Sequence, residues 1–156
     1  MLAVTTYDWL KSGHVIAAVM CVGGDVMLTL LALMTLGLRD PVRLAQFAKQ
    51  VSFLGKTYIP ILSLMVIGFG FGLTENGGWS YSTTWIQIGI AGWAATFLIG
   101  AGYLGPSAAK IDRLIEERGP EDTEAQALIE RVLRVARLDA LLLLFIVFDM
   151  TAKPWS

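Results

Sequence analysis

Four apolar stretches, each close to the length a helix needs to cross a bilayer, constrain this chain more than any other feature. They cover residues 13–38, 51–73, 84–104 and 132–152, and about 20 apolar residues span a hydrocarbon layer of about 30 Å. Backbone amides in hydrocarbon must find partners within the protein, which predicts helices. The expected fold is all-α: a four-helix transmembrane bundle of up-down topology, with helices three and four extending into the cytoplasm. One integral membrane domain over residues 1–156 leaves little chain for another.

Charge gives these spans a direction. Ten of the twelve Lys and Arg residues lie in the first and third loops or the adjoining helix ends. They are Arg39, Arg43, Lys49 and Lys56, then Lys110, Arg113, Arg118, Arg131, Arg134 and Arg137. The middle loop has no basic residue, and Lys11 and Lys153 stand near the termini. Basic loops stay cytoplasmic, so both termini are expected outside. This asymmetry is a topology signal first and an anionic-lipid signal second. An apolar fraction of 55% against 16% charged residues fits a membrane protein rather than a soluble enzyme. The basic residues lack interleaved aromatics, so nucleic acid is not an expected partner.

Tyr7, Trp9, Trp79, Tyr81, Trp85 and Trp155 fall at the outer ends of the spans, where amphipathic rings sit among lipid headgroups. Pro41 can open a short interfacial helix reaching Gln50, and Pro60 is expected to kink the second span. Gly68 and Gly72 suggest a close helix contact or a loosened helix end. Gly89, Gly92, Thr96 and Gly100 put small residues on one face of helix three, again for close packing. Lys110 to Arg118 reads as a cytoplasmic extension of helix three, broken by Gly119-Pro120. The last helix should start near Glu121 and run about thirty residues, about 45 Å, with Glu130 and Arg134 on an exposed face.

Chemistry, if present, resides with titratable residues inside the spans, where each is costly unless it faces protein or water. Counting about 1.5 Å per residue puts His14 and Asp149 near the outer boundary, with Gln87 at similar depth. Asp25, Asp139 and Arg137 lie roughly 17–22 Å down, with Lys56 slightly deeper. His14, Ala18, Cys21 and Asp25 share one face of helix one. Asp25 is expected to meet Arg137 or Lys56, and His14 to lie near Asp149 or an outward-opening pocket. Cys21 is the lone cysteine, and spaced Cys/His metal motifs are absent. The first apolar run is long for a cleavable signal and is expected to remain as a span.

The segment Lys11-Ser12-Gly13-His14-Val15-Ile16-Ala17-Ala18, followed by Gly23-Gly24, resembles the first helix of a bacterial four-helix family of uncharacterised integral membrane proteins. Gly102-Tyr103-Leu104-Gly105-Pro106 and Lys153-Pro154 extend that resemblance over nearly the whole chain. More remotely the pattern is similar to copper-resistance D proteins and to the bacterial membrane protoporphyrinogen oxidase, which binds haem b. In that wider group a first-helix histidine is functional, which implies His14 as a cofactor or metal ligand. This chain has one histidine and Met20-Cys21-Val22 where a Trp often precedes the glycine. A haem b would therefore need Met, Lys or a second copy's His14 as its other ligand.

Two function classes follow. One is a redox or transport protein holding a haem, metal or small hydrophobic ligand between helices, with Asp25 and His14 as contacts. The other is a noncatalytic protein that self-associates into a homo-oligomer or serves as a subunit of a larger membrane complex. No nucleophile–base pair or phosphate loop argues for a hydrolase or kinase. The topology reading makes a direct prediction. A cysteine introduced at Glu121, in a Cys21→Ser background, should react with an impermeant thiol reagent only after the membrane is opened. Labelling of intact cells at that position would reverse the orientation.

Overall fold

The computed structural model describes residues 5–37 and 40–154, apart from the side chain of Leu36, and is helical throughout, with no strand among these residues. Helix α1 spans Thr6–Gly37, α2 Pro41–Asn76 and α3 Thr84–Ile99. A π-helical turn, Gly100–Leu104, joins α3 to α4, Gly105–Arg118, and α5 runs Thr123–Ala152. Leu38, Arg39 and Trp155, which entered the span, charge and aromatic-belt readings, lie outside the described residues.

Local signals explain most boundaries. Asp40 caps α2, its carboxylate accepting from the amides of Val42 and Arg43, while Pro41 fills the first turn where no amide donor is needed. The expected short interfacial helix and second span are one continuous helix of 36 residues, about 54 Å long, with Pro60 inside it. Pro106 lacks an amide and would crowd the carbonyl of Gly102 in a regular α-helix. The turn before it widens instead, with the Gly105 amide donating to the Gly100 carbonyl, so the helical path continues into α4. Gly119 stops α4 at φ 88°, a left-handed conformation that glycine adopts without a Cβ clash. Asp122 then caps α5 by accepting from the Ala125 amide, and the helix begins at Thr123, two residues after the expected start at Glu121.

Helix α1 packs on α2 and α5, α3 packs on α5 and α2, and α4 lies against α2 and α5. Small residues set the closest approaches. A Cβ on Gly89 would collide with the Met150 side chain of α5, and one on Gly92 would lie 2.7 Å from Ile146. Two of the residues on the small face of α3 thus serve packing within the chain. On α2, Gly72 meets Leu10 and Gly70 meets His14, whereas Gly68 faces open space. The close α1–α2 contact therefore runs through Gly70 and Gly72 rather than Gly68 and Gly72. Trp93 adds a polar link across the helices, its Nε1 donating to the carbonyl and hydroxyl oxygens of Ser63 on α2.

Three segments are long and apolar enough to cross a membrane by length and composition: Thr6–Thr35, Pro41–Asn76 and Thr84–Arg118. The apolar half of α5 falls outside that group because Arg137, Asp139 and Asp149 interrupt it. Large apolar side chains such as Ile16, Met34, Phe53, Leu98, Leu138 and Phe148 are exposed. That outward-facing surface suits hydrocarbon, not water.

The aliphatic core lies elsewhere, at the end of the molecule carrying α4. Leu44, Ile111 and Ile129 are buried together, with Ala48, Ile115, Leu128, Val132 and Leu133 against them. Ion pairs ring this core: Lys49 to Glu116 at 3.1 Å, Lys56 to Asp112 at 3.3 Å and Lys110 to Glu124 at 2.8 Å. The Lys110 ammonium, with Arg118 beside it, holds the Glu124 carboxyl below the usual glutamate range. Its stabilising contribution is present above the ordinary glutamate pKa and fades as the pH falls through that lowered value. Replacing Ile129 by Ala should destabilise the fold by about 2–5 kcal/mol, against little change for the exposed Leu138→Ala. Unfolding of purified protein in mild detergent measures both; equal effects would contradict a core at this end.

Candidate functional site

The titratable residues of α1 do not all find the partners that spacing alone suggests. Because α1 packs against both α2 and α5, its shared face lies along a seam. His14 turns to α2, its ring against Gly70 and its Nδ1 2.9 Å from the Val66 carbonyl oxygen. If Nδ1 carries the proton it donates to that oxygen, which fixes the ring and directs the Nε2 lone pair away from the bond. This links two helices. Asp149, on α5, is fully buried.

Asp25 departs from expectation in a more informative way. Neither anticipated cation pairs with it among the described residues. Lys56 is held by Asp112, which also accepts from the buried Ser52 hydroxyl at 2.8 Å, so Lys56 belongs to the α2–α4 ion pairs. Arg137 lies in the seam between α1 and α5, lining cavities on that seam. Asp139 on α5 is within electrostatic reach of Asp25, and Cys21 is within reach of both carboxyls. Asp139 is 6% exposed, and its Oδ1 is buried without a hydrogen-bond partner among the described residues. The same holds for Oδ2 of Asp25. Two acceptor groups on different helices thus converge on one interior region with no donor to meet them. Buried acceptors left unmet cost stability, about 1–3 kcal/mol each and more for charged groups.

This convergence was partly concealed in the sequence. Asp139 and Arg137 project from nearly opposite sides of α5, so only one can point fully inward. Opposite-charge logic favours Arg137, yet Asp139 is the buried one. Arg137 lines the cavities of the seam, with its Nε buried.

A metal held by protein ligands alone does not fit: no group of three His, Cys, Asp or Glu side chains among the described residues could hold one. At the opposite end, Lys153 Nζ stands 4.3 Å and 4.4 Å from the ring centres of Trp79 and Trp85, which meet edge to face at 5.2 Å. These expected belt residues also fasten the end of α5 to the turn before α3, a cation–π tie. A structural role for His14 predicts that His14→Ala costs about 1 kcal/mol, the worth of its bond to Val66, without changing the absorption spectrum of the purified protein. Loss of a Soret band in that variant would make His14 a haem ligand instead.

The comparisons with known proteins agree with the apolar helices. Residues 8–154 match the family described as "predicted integral membrane protein (DUF2269)". No curated protein and no solved structure matches the chain, so the remoter likeness to copper-resistance D proteins and protoporphyrinogen oxidase gains no support from them. A match over nearly the full length, on helices of membrane-crossing length, makes this chain a member of the DUF2269 family of integral membrane proteins.

Proposed function

We propose that the protein is a four-pass, up-down helical bundle of the bacterial cytoplasmic membrane that holds a small cationic ligand between α1 and α5 for transport. In this reading the apolar half of α5 is the fourth span. Its Asp139 and Asp149 are buried while Leu138, Leu141, Leu144, Phe145 and Phe148 are exposed, the distribution a membrane-crossing helix needs. The basic loops place the end carrying α4 in the cytoplasm and both termini outside.

One observation carries the functional part: the buried, unmet carboxyl oxygens of Asp25 and Asp139 converge from two helices. A structural polar pair normally brings its own donor. Two acceptors without one are complementary to a ligand that supplies positive charge or hydrogen-bond donors. The residues with named roles are Asp25 and Asp139 as ligand contacts and Cys21 as a neighbour in the same seam. His14, whose Nδ1 is engaged with Val66, orients α1 against α2.

The reading is tested by thermal unfolding of purified protein with sodium ion or tetraphenylphosphonium as probes. At least one should raise the unfolding midpoint of the wild type, and Asp25→Asn and Asp139→Asn should each abolish that rise. Both variants should remain folded, with midpoints equal to or above that of the ligand-free wild type. Variants less stable than wild type, with no response of the wild type to either cation, would make the carboxyls structural.

A further inference from the structure

The seam between α1 and α5 has a second feature, nearer the α4 end and separate from the carboxyl pair. An open cavity of about 580 Å³ lies where the end of α1, the start of α2 and α5 meet. Thr35, Gln126, Glu130, Arg134 and Arg137 are among its lining residues. A smaller groove of about 230 Å³ continues along the same seam, bounded by Val26, Leu30, Leu141 and Leu144. Arg137 lines both. On α5 the spacing 130, 134, 137, 141, 144 keeps these residues on one face, so a polar chamber passes into an apolar channel in line with the helix. From Arg137 to Leu144 the helix rises about 10 Å, inside the thickness of one leaflet.

We propose that this compound cavity is a phospholipid site: Arg137 and Arg134 hold the phosphodiester, and one acyl chain lies in the groove between α1 and α5. Three observations converge on that ligand. Arg137 has a buried Nε with no hydrogen-bond partner among the described residues, which leaves a guanidinium donor for an oxyanion. Guanidinium forks match phosphate oxygens in geometry and charge. The groove beyond is lined by aliphatic side chains and Thr29, which suits a hydrocarbon chain and not a free phosphate. Finally, the chamber also has carboxylates. Asp40 is occupied, accepting from two α2 amides and pairing with Arg43, but Glu130 is exposed and joins no ion pair among the described residues. A headgroup that carries an ammonium or hydroxyls beyond its phosphate would meet Glu130. The site therefore suits an intact phospholipid headgroup better than a bare anion.

Native mass spectrometry of the whole protein released from detergent micelles tests this. The wild type should retain one phospholipid per chain when dioleoylphosphatidylglycerol or dioleoylphosphatidylethanolamine is supplied. Arg134→Ala/Arg137→Ala should lower the retained fraction at least tenfold, with Arg137→Lys intermediate and the remote Lys11→Ala unchanged. Dihexanoyl forms of the same lipids, whose chains are too short to fill the groove, should be retained far less by the wild type, a comparison that needs no variant to fold. Equal retention of lipid by the wild type and the double variant would overturn the proposal. Retention of inorganic phosphate as strong as that of long-chain lipid would also overturn it, by assigning the arginines to a free anion.

Discussion

Hydrocarbon offers no hydrogen bonds, and the rest of this structure follows from that. Each long segment closes its backbone bonds as a helix, and each polar side chain within it must find protein or water. His14 reaches the Val66 carbonyl, Trp93 reaches Ser63, and Thr74 donates back to the Gly70 carbonyl one turn earlier. Asp25 and Asp139 each bury a carboxyl oxygen within electrostatic reach of the other, yet neither of those oxygens has a donor among the described residues. Their unmet oxygens, unlike the bonded His14, Trp93 and Thr74, are the basis of the ligand site proposed above.

The molecule is held together by two sets of forces. In α1, α2 and α3, the segments long and apolar enough to cross a membrane, water expulsion cannot drive association, because lipid is as apolar as leucine. Close approach through Gly70, Gly72, Gly89 and Gly92 and the few interhelical hydrogen bonds take its place. Around α4 the logic is that of a water-soluble protein. Ile111 and Leu114 are buried while Lys110, Arg113 and Glu116 face out, giving an amphipathic helix over an aliphatic core with ion pairs at its rim. The π turn at Gly100–Leu104 lets one helical path serve both environments despite Pro106. The proposed lipid cavity lies at the junction of these two regimes, where charge and apolar surface adjoin.

Much of this was legible in the sequence because it rests on local rules. The apolar stretches, the break at Gly119-Pro120, the thirty residues of α5 and the small face at Gly89 and Gly92 depend on spacing along one helix. Pairings across helices were not legible. Lys56 finds Asp112 56 positions away, and His14 finds Val66 52 positions away, contacts fixed by how helices cross rather than by any periodicity. The partner of Asp25 was missed for a related reason. Opposite charge suggested Arg137 for Asp25, but on α5 it is the Asp139 carboxyl that is buried within electrostatic reach of Asp25, and Arg137 makes no ion pair with Asp25 among the described residues.

The central claim is that Asp25 and Asp139 lie within electrostatic reach of one another with buried acceptor oxygens that have no donor among the described residues. A double-mutant cycle on Asp25→Asn and Asp139→Asn, read as the unfolding free energy of ligand-free protein, measures this most directly. If the two oppose each other, each single change holds or raises stability, and the second change gains less once the first is present. Single changes that each lower stability and simply add would show two carboxyls anchored to separate partners, and would contradict the claim.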